Sequence, residues 1–104
     1  MTDSGRATLS FTCEMDERAL YEIEQKGFFE HAIANLPDGS RVRVSFWTPG
    51  RLSEDLETDL KWGKKCLAEP GLIVVSNVTL ENMRAAVEDL YARGYFDRLR
   101  SVFL

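Results

Sequence analysis

The chain has 104 residues, of which 44% are hydrophobic and 29% are charged, and its formal net charge is −4. These values are typical of one globular domain, and they argue against a disordered chain and against a strongly basic nucleic-acid-binding surface. The longest apolar run, residues 71–75, is far shorter than the ~20 residues that cross a bilayer. We therefore expect a single domain over residues 1–104 that has a frayed tail at residues 1–6 and is not inserted in a membrane.

The N-terminus and the two cysteines predict a cytoplasmic protein. The first six residues contain no apolar segment of the kind found in secretory signals. Cys13 and Cys66 are too far apart in the sequence for a metal-ligand motif, and two cysteines are too few for a disulfide framework. This cysteine usage indicates a reducing compartment. No motif for a metal or an organic cofactor is present, so we expect neither.

The first predicted unit is a strand followed by a helix. Leu9, Phe11 and Cys13 alternate with hydroxyl residues, which is typical of a strand with one buried face, and this alternation predicts that Cys13 is buried. Asp16 can then cap a helix by accepting from a backbone N–H of its first turn. Gly27 follows as the expected residue just past the helix end.

The segment 28–36 has two interpretations. Its apolar residues do not alternate, which favours a short helix; they are Phe29, Ile33 and Leu36. The alternative is a strand over Glu30–Asn35 that is joined to the next strand through a Pro-Asp-Gly turn. We prefer the helix, and the strand stays as the alternative.

The second and third units repeat the plan of the first. Residues 41–47 alternate between polar and apolar side chains, and Thr48 can cap the helix that follows. Residues 72–75 are wholly apolar, as in a strand covered on both faces, and Thr79 can cap the last helix. A glycine stands 15 residues after each of these two caps. The hinge between strand and helix is thus the repeated feature of the chain.

The three caps are 32 and 31 residues apart, about the length of one βαβ unit. We predict an α/β domain of three successive β-α units (βαβαβα), in which helices pack on a small, mostly parallel sheet whose third strand is central. The alternative is an α+β two-layer sandwich with an antiparallel hairpin around residues 30–47.

A candidate ligand site lies where these strands end. Ligands of open α/β sheets bind beyond the carboxyl ends of the strands, where hydroxyls, free N–H groups and an arginine can hold a small anion. The capping threonines already have a structural role there, which competes with this interpretation. The candidate ligand-binding residues are Thr48, Gly50, Arg51, Ser76, Asn77 and Thr79.

No set of residues predicts a catalytic centre or a metal site. His31 is the only histidine, and catalysis by a Cys/His pair needs contact and a third, orienting group, so we expect a surface histidine on a helix. Cys66 follows two lysines, which can activate a thiol, but a small apolar role in a loop is the preferred interpretation. The acidic residues of the second helix are expected to form a solvated face; they are Glu54, Asp55, Glu57 and Asp59.

Two further surfaces are candidates for binding. A C-terminal aromatic and apolar cluster would close the core if buried and form an interface if exposed; its members are Tyr95, Phe96, Phe103 and Leu104. If helices cover only one face of the sheet, Arg41 and Arg43 lie on the other, where a basic, aromatic face could stack single-stranded RNA. Trp47 is the only aromatic residue that could serve there, and the acidic net charge argues against this hypothesis.

These observations predict a non-enzymatic module that binds a protein partner or a second copy of itself, as in a homodimer. The prediction depends on the lack of a nucleophile–base set, of metal-ligand spacing and of a cofactor loop. A domain that binds a small ligand or anion at the strand ends, with or without catalysis, is the alternative. Single-stranded RNA binding on the sheet face is the third hypothesis.

Overall fold

The computed structural model describes residues 6–64, 66 and 71–97. Within these residues the chain forms a mixed α/β domain with one four-stranded sheet and three helices. The strands are β1 (Thr8–Phe11), β2 (Phe28–Asn35), β3 (Arg41–Trp47) and β4 (Leu72–Val74). The helices are α1 (Glu17–Lys26), α2 (Pro49–Lys61) and α3 (Leu80–Ala92). Most of the predicted tail, residues 1–5, lies outside the described residues.

The sheet is mostly antiparallel, so the predicted parallel sheet is wrong. The strand order is β1-β2-β3-β4; β1 pairs antiparallel with β2, β2 pairs antiparallel with β3, and β3 alone pairs in parallel with β4. The strand that was predicted to be central, β4, is at an edge. Its apolar sequence does not reflect cover on both faces, because Ile73 is buried while Val74 is about half exposed.

Residues 28–35 form a strand, so the helix predicted over 28–36 is also wrong. Phe29 pairs with Phe46 and Ala32 pairs with Val44. Between these two pairs β2 advances by three residues, whereas β3 advances by only two. This β-bulge turns Phe29 and Ala32 to the same side of the sheet although they are an odd number of residues apart. The extra residue hides the alternation of β2 in the sequence. The antiparallel β2-β3 hairpin of the alternative interpretation is therefore present.

The three repeated strand-to-helix junctions are confirmed. The side chains of Asp16, Thr48 and Thr79 each accept a hydrogen bond from the backbone N–H three residues on, at 2.8, 3.2 and 3.1 Å. From the pairing, β1, β3 and β4 run in one direction and only β2 runs in the other, so all three junctions lie at the same end of the sheet. The sequence therefore predicts the junctions correctly but misses the strand inserted between them.

The core lies between one face of the sheet and helices α1 and α3. Met83 and Val87 of α3 are fully buried, Ile23 of α1 packs at the margin, and Phe11 meets Phe29 edge to face with ring centroids 5.8 Å apart. The buried residues of this core are Ala7, Phe29, Ala32, Ala34, Leu36, Val44, Phe46, Ile73, Val78, Met83, Val87 and Phe96. Helix α2 contributes no residue to this core.

A glycine at the start of β4 fixes how closely that strand approaches β3. Gly71 has φ +81°, its carbonyl accepts from the Ser45 N–H at 2.9 Å, and a Cβ built on it would collide with the Arg43 carbonyl and lie 3.3 Å from the Val44 Cα. Gly39 in the hairpin loop has φ +92°, but a Cβ there would meet nothing within 4 Å. Both glycines have a left-handed backbone, but only Gly71 lacks room for a side chain.

We predict that Gly71→Ala lowers the free energy of unfolding by about 3 kcal/mol, because left-handed strain of ~1–2 kcal/mol is joined by a steric collision with β3. Gly39→Ala is the matched control and should cost only the strain. Urea unfolding of both variants measures the difference. Equal losses at the two positions would contradict the close approach of β4 to β3.

Candidate functional site

The sheet face opposite the core is the one on which candidate binding residues collect, and we call it the outer face. The strand register assigns to it alternate residues of all four strands. They are Thr8, Ser10, Phe28, Ile33, Asn35, Arg41, Arg43, Ser45, Trp47, Leu72 and Val74. Arg41 and Arg43 thus share a face with hydroxyl residues of β1, and the Asn35 side-chain amide donates to the Ser10 hydroxyl at 3.0 Å.

An aromatic stack closes one end of the outer face. Phe28 and Trp47 stack with ring centroids 5.2 Å apart, and the Arg51 guanidinium carbon lies 4.3 Å from the centroid of Phe28. The Trp47 indole N–H donates to the Ser45 hydroxyl oxygen at 3.0 Å, and Trp47 is only 5% exposed. The first turn of α2 therefore covers this end, and Trp47 is not an exposed stacking platform.

A cavity of about 410 Å³ opens beside the β-bulge. Its lining residues come from the end of β1, from the bulge and from β3; they are Thr12, Glu30, His31, Ala32, Arg43, Val44 and Ser45. The bulge places Glu30 and His31 together opposite Ser45, where a regular strand would place one residue. The backbone N–H of Thr12 donates to the His31 carbonyl at 2.9 Å and ties the end of β1 to the bulge.

Opposite charges line this cavity without pairing. Elsewhere Arg6, Arg18, Arg51 and Arg93 each form an ion pair with a carboxylate. Within the part of the chain that the structure describes, Arg43 forms no ion pair, and neither does Glu30, although both are exposed at the same cavity. A guanidinium can bind a carboxylate or phosphate with two parallel hydrogen bonds, and a carboxylate can bind a cation.

The predicted ligand residues at the strand ends have structural partners. The Thr48 and Thr79 hydroxyls cap α2 and α3, and the Arg51 guanidinium lies over Phe28 and bonds Asp55 at 3.1 Å. The Asn77 carbonyl accepts from the Asn82 side chain at 3.0 Å.

The parallel strands β3 and β4 bring the second and third junctions side by side, since the Val75 N–H donates to the Trp47 carbonyl at 2.8 Å. Gly50 is exposed in the first turn of α2, and Ser76 is exposed just after β4. A ligand role for these residues stays a prediction.

Two of the predictions about reactive side chains are wrong. Cys13 is exposed rather than buried, because β1 ends at Phe11 and its alternation does not reach the cysteine. His31 is exposed as predicted, but it lies in the bulge of β2 and not on a helix. Cys66 is also exposed.

Of the four α2 carboxylates expected to form a solvated face, Glu54 and Glu57 are exposed, whereas Asp55 and Asp59 are partly buried. Asp55 pairs with Arg51, and Asp59 lies 4.0 Å from the Lys64 amine. Among the residues that the structure describes, no group of three or more His, Cys, Asp or Glu side chains could hold a metal ion.

Among the residues that the structure describes, the most exposed large apolar side chains are not those of the predicted C-terminal cluster. Phe96 is buried in the chain's own core and Tyr95 packs partly buried against it, whereas Phe103 and Leu104 lie outside the described residues. By contrast, Leu60 is 52% exposed and Trp62 is 82% exposed at the end of α2. Leu60 shares a four-residue spacing with Leu52 and Leu56, which by itself predicts an inward-facing stripe, whereas Trp62 does not share this spacing and carries no such signal.

Comparisons of the chain with models of protein families, with curated proteins and with solved structures gave no match. In the described part of the chain, no helix has both the length and the apolar character needed to cross a membrane.

The phenol of Tyr95 provides a test of C-terminal packing. Burial raises the pKa of Tyr95 above its ordinary value of 10.0, because desolvation disfavours the phenolate. The unfolded chain therefore ionises at a lower pH than the folded chain, and stability is lost as the pH rises above that ordinary value.

We predict that Tyr95→Phe reduces the loss of stability between about pH 8 and about pH 11, because the variant has no phenol to ionise at this position. Urea unfolding at both pH values measures this loss. Tyr21→Phe is the control, since Tyr21 is 64% exposed. If the two variants lose as much stability as the parent chain, Tyr95 does not pack as described.

Proposed function

We propose that the protein is a non-enzymatic, self-associating interaction module that pairs with a second copy of itself through α2. The observation that supports this proposal is the exposure of Trp62 (82%) and Leu60 (52%) at the end of a helix that buries none of its own residues. Tryptophan is enriched among the residues that contribute most to protein interfaces. A reducing, cytoplasmic setting is part of the proposal and is supported by the two unpaired cysteines.

The apolar residues of α2 form a stripe that the core does not use. Leu52, Leu56 and Leu60 are four residues apart, so they lie along one side of the helix. None of them packs in the core between the sheet and α1 and α3. The exposure of the stripe increases toward the C-terminal end, where Trp62 adds further apolar surface. An apolar stripe of this kind on a helix is typical of a surface that docks on a partner.

The charges beside the stripe favour a second copy as the partner. Glu57 and Lys61 are both exposed, and neither forms an ion pair within the described residues. In an antiparallel pair of α2 helices, the register that places Trp62 over Leu56 of the other copy also places Lys61 beside Glu57. A twofold axis repeats each contact. In this register the patch is complementary to itself in charge.

The other hypotheses have less support. RNA stacking needs exposed aromatic rings on the sheet face, but Trp47 is buried and Phe28 is covered by Arg51. Binding at the strand ends needs free hydroxyls and a free arginine, but Thr48, Arg51 and Thr79 have the partners given above.

We predict that the chain forms dimers whose dissociation constant rises about tenfold or more in Leu60→Gln and in Trp62→Gln, because each change removes ~1–2 kcal/mol of apolar burial per copy. Sedimentation across a concentration series measures this constant. Tyr21→Gln, which changes another exposed aromatic residue (64%) on α1, is the control and should leave the dissociation constant unchanged. A chain that stays monomeric at every concentration refutes the proposal.

A charge exchange tests the antiparallel register. Glu57→Lys should weaken the dimer about threefold to tenfold, because it places two lysines together at each symmetric contact. Adding Lys61→Glu to the same chain restores opposite charges and should restore the dimer. If the double variant is as weak as the single variant, the two side chains do not face each other and the register is wrong.

A further inference from the structure

We propose that the cavity beside the β-bulge binds a small zwitterion of the α-amino-acid type, with Arg43 holding the carboxylate and Glu30 holding the ammonium group. No residue of α2 lines this cavity, so the inference is independent of the proposed dimer. Its basis is the pair of opposite charges that share a cavity of about 410 Å³ and do not neutralise each other.

The size of the cavity suits a small molecule. Ligand sites typically enclose ~300–1,000 Å³, and the bulge cavity is at the lower end of this range. Ser45, one of the lining residues, is buried and accepts the Trp47 indole N–H, so its position is fixed by the aromatic stack beneath α2. One wall is held by the hydrogen bond from the Thr12 N–H to the His31 carbonyl. The cavity is therefore lined by residues whose backbone is held by the hydrogen bonds of the sheet.

The charges of the cavity select the class of ligand. Arg43 alone would favour any small anion, but Glu30 on the opposite strand repels a second negative charge and attracts a positive one. A ligand with a single charge pairs with one of these two side chains and leaves the other without a partner. A free α-amino acid carries both charges close together and satisfies both. The Thr12 hydroxyl, which lies 3.4 Å from the His31 carbonyl, is an additional acceptor for an ammonium N–H.

The bulge is what makes this arrangement available. Without the extra residue, Glu30 would be followed by a core-facing position, and His31 and Glu30 could not both stand opposite Ser45. β-Bulges are frequent next to functional sites because they redirect side chains in this way. The cavity therefore depends on the same backbone irregularity that turns both Phe29 and Ala32 toward the core.

The test is a titration of the full chain with each of the free L-amino acids. NMR monitors the chemical shifts of the backbone amides of residues 30–32 and 43–45 during the titration. The blocked compounds N-acetylalanine and alaninamide each lack one of the two charges. We expect saturable shifts with at least one free amino acid and affinity at least tenfold weaker for its blocked forms. Arg43→Gln and Glu30→Gln should each reduce the affinity about tenfold or more.

Arg41→Gln is the matched control, because Arg41 lies on the same strand and face but does not line the cavity. It should leave the affinity within about twofold. The proposal is overturned if no free amino acid gives saturable shifts at millimolar concentration. It is also overturned if the blocked anion binds as well as the free amino acid, or if Arg41→Gln weakens binding as much as Arg43→Gln does.

Discussion

The β-bulge in β2 is the constraint on which the architecture depends. It inserts one residue between the pairs Phe29–Phe46 and Ala32–Val44, so both β2 residues turn toward the core. A strand without the insertion would have to expose either Phe29 or the run of small core residues that follows it. Because β2 lies between β1 and β3, its register also sets how the two halves of the sheet meet.

The position of β2 explains how three similar junctions arise in a mostly antiparallel sheet. The strands that precede α1, α2 and α3 run in one direction, and β2 is the one strand that runs against them. The three helix N-termini therefore meet at one end of the sheet, as they would in a parallel fold. Helices α1 and α3 pack on the core face, whereas α2 begins at the aromatic stack of the outer face. This division leaves α2 without a share of the main core.

The sequence predicts what local chemistry determines. The caps Asp16, Thr48 and Thr79 each depend on one side chain and the helical turn after it. The strand β3 is recognisable because its polar and apolar residues alternate with the two-residue repeat of a strand. A bulge breaks that period within one strand, so the spacing of Phe29 and Ile33 indicates a helix. The edge position of β4 depends on pairing with β3 and not on its own apolar composition. The presence of Glu30 and Arg43 at one cavity, and the exposure of Trp62, likewise depend on tertiary packing.

The inter-strand nuclear Overhauser contacts of β2 and β3 test the bulge most directly. The bulged register predicts contacts that join Phe29 to Phe46 and Ala32 to Val44, with Glu30 and His31 both opposite Ser45. Backbone contacts between residues three apart throughout 28–36 would instead show a helix, and pairing of β2 with β3 without the extra residue would show a regular hairpin. Either result would contradict the bulge, and with it the cavity that lies beside it.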